Sequence, residues 1–155
     1  MTRNERGFTL IELMVVVTVL SLLAGLAMPK YHELRKRATA AQAIGALGVV
    51  RHAAFAYNES TGTWAPSSSV GDAPPELINY LPGGFSFSQP DFDLAWRYST
   101  WQSDGIEESA QMVQVFPRDP FVCDAVFHLL GGDENKDLVG ACDGATPVVT
   151  LYVES

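Results

Sequence analysis

Gly7-Phe8-Thr9-Leu10-Ile11-Glu12 opens the apolar run Phe8 to Met28 and places a carboxylate at the fifth position of that run. At 1.5 Å of helical rise per residue, about 20 apolar residues cross the hydrocarbon core of a bilayer. An ionised Glu inside such a run is costly enough that a function is its default explanation. The run is preceded by a short polar leader that carries Arg3, Glu5 and Arg6.

The residues alone allow blander readings. A secretory signal peptide would use Arg3 and Arg6 as its basic region and Gly25 and Ala27 as the small residues of a cut after Ala27. Glu12 within the apolar region argues against it. A plain single-span anchor would make Glu12 an accident near the membrane edge. The positive-inside rule points a third way: Lys30, Arg35, Lys36 and Arg37 after the span outnumber Arg3 and Arg6 before it, which favours a cytoplasmic C-terminal side.

The hexapeptide after a short charged leader resembles the N-terminus of type IV pilins and pseudopilins. That resemblance implies cleavage between Gly7 and Phe8 by a prepilin peptidase on the cytoplasmic side, and methylation of the new Phe8 amine. Glu12, four residues along the same helix, would then neutralise its own chain's amine or pair with that of a neighbouring subunit and so set the axial register of a filament. An unpaired charge in an apolar filament core is heavily penalised, so the pair acts mainly by excluding wrong registers. The resemblance also places the C-terminal domain outside, against the positive-inside count. Pilins commonly have a Pro at the distance of Pro29 from the cut, where the preceding helix can open. Read by itself, Pro29 either kinks the helix or marks the membrane exit. The chain departs from many pilins in having Ser21 where Gly is frequent and Val49 where a second helix Pro often occurs.

Charge divides the chain. The 155 residues carry a formal net charge of −8, and they suffice for one small domain beyond the anchor. Lys30 to Glu59 is basic, whereas from Ser60 onward fourteen Asp and Glu face only Arg97, Arg118 and Lys136, a net −11. Such a head repels a phosphate backbone, so nucleic-acid binding is not favoured. The expected divisions are a leader at 1–7, a membrane or filament-core helix at 8–28, a helical stem at 29–59 and a globular head at 60–155.

The stem reads as a continuation of the anchor helix. Tyr31, Leu34, Ala38, Ala41, Ile44, Leu47, Val50, Ala54 and Tyr57 recur every three or four positions, and the pattern stops in Asn58-Glu59-Ser60-Thr61-Gly62. Phe8 to Asn58 would make a helix of about 75 Å. Thr61 to Pro75, dense in Ser, Pro, Gly and Thr, reads as a surface loop. Short segments at Phe85–Ser88, Phe92–Thr100, Gln111–Phe116, Phe121–Leu130 and Val148–Val153 suggest a small antiparallel sheet. Its apolar face, including Phe92, Leu94, Trp96, Val113, Val115, Val126, Val149 and Leu151, would cover the helix stripe in an α+β arrangement.

Cys123 and Cys142 are the only cysteines. In a short exported domain, with no further Cys or His pair at ligand spacing, they predict a disulfide over two free thiols or a metal site. The pair also resembles the C-terminal disulfide loop of many pilins, which pseudopilins often lack. Between them, Asp133, Asn135 and Asp137 alternate as in the opening of a calcium loop, but Leu138 and Gly144 stand where an EF-hand has Gly and Glu. The segment therefore reads as either a calcium loop of another type or a solvated acidic turn.

No Gly-x-Ser-x-Gly elbow, phosphate-binding Gly-rich loop or His-Glu-x-x-His motif occurs, and His32, His52 and His128 are scattered. The chain reads as a substrate of a peptidase and not as an enzyme. The resemblance implies a subunit of a type IV pilus-like filament, held first as a single span in the bacterial inner membrane and then assembled at the cell surface by inner-membrane machinery. The alternatives are a pseudopilin of a type II secretion system, which forms a periplasmic filament, and an anchored binding module that never polymerises.

Overall fold

The computed structural model describes residues 8–154; Gly7, Arg3 and Arg6 lie outside the described residues. The chain divides into two compact units, the first ending at Arg35 and the second beginning at Lys36. Helix α1, Leu10–Thr61, contributes to both.

In the first unit α1 is apolar and exposed, with a mean hydropathy of 2.5 over its most apolar window, long enough to cross a membrane by length and composition. The two hydroxyl side chains within its apolar run, from Leu10 to Met28, are satisfied locally. Thr18 Oγ1 donates to the Val15 carbonyl at 2.8 Å and Ser21 Oγ to the Val17 carbonyl at 2.7 Å. Such back-bonding lets a hydroxyl sit in an apolar medium without an external partner. The helix continues through Pro29, where the missing N–H leaves the Gly25 carbonyl without its helical donor.

The second unit is an α+β head. The helix ends where expected: Gly62 has φ +72° and its N–H donates to the Asn58 carbonyl at 2.7 Å, the left-handed stop that glycine adopts without a Cβ penalty. Four antiparallel strands follow: β1 Phe92–Ser103, β2 Ile106–Pro117, β3 Leu138–Ala141 and β4 Val148–Glu154, in spatial order β1-β2-β4-β3. Asp104 (φ 52°) and Gly105 (φ 81°) form the two-residue turn between β1 and β2. That pair of positive φ angles matches the twist of a hairpin.

The inner face of the sheet carries Phe92, Leu94 and Trp96 opposite Pro117, Val115 and Val113. Val113 and Val115 in turn face Leu151 and Val149. Apart from Pro117, these residues pack with Ala40, Ala43, Leu47, Val50 and Ala54 of α1 in one core. Within the second unit the expected stripe is correct from Ile44 onward and rotated before it: Ala38 and Ala41 are exposed, and Thr39, Ala40 and Ala43 are buried. A run of alanines carries no hydropathy contrast, so packing chooses the phase.

Two further sequence expectations are corrected and one is extended. Phe121–Leu130 is not a strand but lies almost wholly in helix α2, Pro120–Leu129, so His128 and Val126 are helical. Asp119 caps it by accepting from the Phe121 N–H at 2.9 Å, with Pro120 in the first turn; an Asp-Pro start favours helix over an apolar strand. Phe85–Ser88 forms no strand beyond a bridge from Ser88 to Asp93, although Phe87 is buried. Thr61–Pro75 is more than a surface loop. Ser68 N–H donates to the Trp96 carbonyl at 2.9 Å and Gly71 N–H to the Leu94 carbonyl at 2.8 Å. Ser67 Oγ donates to the Tyr98 carbonyl, and both serine hydroxyls accept β1 amides in return. The segment therefore covers the open edge of β1, which would otherwise template pairing with another chain.

Candidate functional site

Two local arrangements hold the residues singled out by sequence. The first is the start of α1. Thr9 and Glu12 form a reciprocal cap: Glu12 N–H donates to Thr9 Oγ1 at 3.3 Å, Thr9 N–H donates to Glu12 Oε2 at 3.0 Å, and the Thr9 hydroxyl donates to the same oxygen at 2.7 Å. This is a capping box, which satisfies helix-start amides that would otherwise be orphaned in lipid. Sequence reasoning missed Thr9, although the signal, Thr-x-x-Glu before an apolar run, was present. Around the carboxylate lie Phe8, Ile11, Val15 and Val16, all apolar. Glu12 is thus a charge on an apolar surface with one oxygen held by Thr9. Among the described residues no hydrogen bond reaches the other, Oε1. The arrangement can present one carboxylate oxygen to a cation while keeping the helix start intact.

The second arrangement is the C-terminal loop. Cys123 of α2 and Cys142, just beyond β3, are joined in a disulfide with Cα atoms 5.5 Å apart and a sequence separation of 19. The same helix is seated on the sheet by Val122 and Val126, both buried. Phe127 lies so close over β3 that a Cβ at Gly140 would fall 2.5 Å from its ring. Glycine at 140 is what lets α2 approach. At the other end, Lys36 Nζ stands 3.9 Å from the Phe121 ring centroid and 3.9 Å from Asp119 Oδ2. Exposed pairs of this kind contribute little individually. In the chain-entropy model a bridge over this loop stabilises by about 3 kcal/mol. Cys142→Ser is therefore expected to lower the unfolding free energy of the full-length protein in detergent by about 2–4 kcal/mol in denaturant titration; a loss below 1 kcal/mol would show that packing alone holds α2.

Within the loop, Asn135 is used structurally. Its Nδ2 donates to the Leu130 carbonyl at 2.9 Å and its Oδ1 accepts from the Asp137 N–H at 3.1 Å. Asp133 and Asp137 are exposed on either side. Among the described residues no group of three or more His, Cys, Asp and Glu is placed to hold a metal ion.

Residues 2–28 match the family model of the prokaryotic N-terminal methylation motif. The type IV major pilin protein PilE1 of Neisseria gonorrhoeae is 35% identical over 75 residues, 48% of this chain and 35% of that protein. The fimbrial protein EcpC of Eikenella corrodens is 34% identical over 66 residues, 43% of each chain. A fimbrial protein of Pseudomonas aeruginosa is 38% identical over 52 residues, 34% of each. The similarity thus spans less than half the length of each of these relatives. No solved structure matches the chain.

Proposed function

We propose that this chain, which carries the N-terminal methylation motif of the type IV pilin family and is similar in sequence to its members, is a structural subunit of a type IV pilus-like filament. The observation that carries this reading is the capped carboxylate on the apolar start of α1. Glu12 keeps one oxygen for its own helix and offers the other to a cation. A free Phe8 amine created by cleavage after Gly7 is a cation of the right kind, supplied by the same chain or by a second copy. Pairing across subunits buries both charges together, and any register that leaves them apart is penalised.

In this reading the exposed apolar residues of the first unit pass from lipid into the filament core, and the acidic head faces solvent. Pro29 leaves the Gly25 carbonyl without its helical donor, which gives the helix a place to bend or open as it leaves the bilayer. The partners are a prepilin peptidase, other pilin subunits and the inner-membrane assembly machinery. The chain itself supplies no catalytic step.

The test is the intact mass and N-terminal residue of the protein recovered from membranes and from sheared filaments. A chain that lacks residues 1–7 and begins at methylated Phe8 is expected in both fractions, and Gly7→Ala should retain the full leader. A chain beginning at Met28 would remove the anchor and the filament with it.

A further inference from the structure

The residues that follow the apolar run form a second kind of surface. In the same continuous helix Leu34 lies four positions after Lys30 and three after Tyr31, and Arg35 lies four after Tyr31, so the four share one face within about 140° of arc. All four are exposed, and the two apolar members strongly so, Tyr31 at 64% and Leu34 at 65%. An exposed aromatic and a leucine between two cations is an unusual face to leave in water. It suits the boundary of a bilayer, where an aromatic ring and an aliphatic chain lie at the level of the acyl carbonyls and basic groups reach outward to phosphates.

Length fixes which layer this face meets. Phe8 to Met28 at 1.5 Å per residue spans about 31 Å, the thickness of the hydrocarbon core. Lys30 to Arg35 then occupies about 8 Å immediately beyond it, the depth of one headgroup layer. Lys36, the next base, is engaged with Asp119 and Phe121. Arg35 holds a contact within the protein, and the five donors of a guanidinium allow it a phosphate as well. From continuity with the span and from charge, we infer that the Lys30-Tyr31-Leu34-Arg35 face binds the headgroups of anionic phospholipids. This rests on the reading of α1 as a membrane span. The basic excess on this side of the span, which runs against the positive-inside count, then has a local use: it holds the unassembled subunit at a fixed depth in the leaflet.

The experiment is native mass spectrometry of the full-length protein released from detergent micelles doped with equal phosphatidylglycerol and phosphatidylethanolamine. The protein is expected to retain phosphatidylglycerol preferentially, and K30Q/R35Q to lower that retention about thirtyfold, since each juxtamembrane base adds about a fivefold preference. The head variant Lys136→Gln should retain lipid like the parent, and Lys30→Arg should preserve the preference. Equal retention of both lipids by the parent, or unchanged retention by K30Q/R35Q, would overturn the inference. Displacement of the lipid by millimolar inorganic phosphate would also overturn it, by assigning a simple anion site. Failure of the span itself has a different signature, a protein that stays soluble and binds no micelle.

Discussion

Trp96→Ala is expected to destabilise the head by about 3–5 kcal/mol, the largest effect of any single truncation in the core. Trp96 is the largest fully buried side chain among the described residues, and its indole N–H donates to the Ala65 carbonyl at 2.9 Å. Truncation therefore removes the apolar contacts of two rings, opens a cavity that the surrounding strands cannot close, and leaves a buried carbonyl without its donor. It also removes the ring against which Trp64 tilts at 6.1 Å, and Trp64 in turn meets Phe55 of α1 edge-on at 5.5 Å. One side chain thus ties β1, the edge-covering segment and the helix. Trp96→Phe separates the terms: it retains most of the packing and loses the hydrogen bond, for an expected loss of about 1–3 kcal/mol. Thermal unfolding of the full-length protein in detergent, followed by near-ultraviolet circular dichroism, reads both. A shift under 1 kcal/mol for the alanine variant would mean that the ring is not the centre of the core.

The long helix, its end at Gly62, the antiparallel sheet and its inner face were legible because each rests on a local signal. Apolar length marks the first half of the helix, a glycine marks the stop, and alternation at Phe92 to Tyr98 marks a strand whose inward Phe92, Leu94 and Trp96 are buried, although Ala95 of the opposite face is buried too. What failed was decided by tertiary contacts or by a signal that was outweighed. Phe121 to Leu130 is apolar throughout, which suits a buried strand as well as a helix. The Asp119-Pro120 start was the discriminating feature. Leu138 to Ala141 is short and contains Gly140, so it lacks the marks of a strand; its place depends on pairing with β4 and on the Phe127 ring above it. Alanines 38 to 46 fit any helical phase until a sheet is packed against them.

The candidate site was legible in its chemistry and not in its geometry. The isolation of Glu12 among apolar residues is plain in the sequence and motivates the pairing role proposed for it. That Thr9 takes one of its oxygens, and so leaves a single oxygen for a partner, is set by the fold of the helix start. The distinction matters because it separates the cap that is seen from the charge pairing that is proposed.

Glu12→Ala and Glu12→Gln are expected to be equally defective in filament entry, each falling at least tenfold in the sheared-filament fraction relative to the parent, while both are cleaved normally. Glutamine keeps the length and an acceptor oxygen for Thr9, so it preserves most of the capping box; alanine removes the cap as well. What the two share is the loss of the charge. If the carboxylate pairs with the Phe8 amine of a neighbour in an apolar core, either variant leaves that amine buried and unpaired, a penalty of about 3–5 kcal/mol, which corresponds to more than a hundredfold in the equilibrium for a correct register. If Glu12 acted only by capping the helix, the glutamine variant would enter filaments nearly as well as the parent and only the alanine variant would fail. Quantifying each variant in membrane and filament fractions, with the mass of the mature chain checked in both, decides between them. Normal entry of Glu12→Gln would end the charge-pairing role and leave Glu12 as a helix cap.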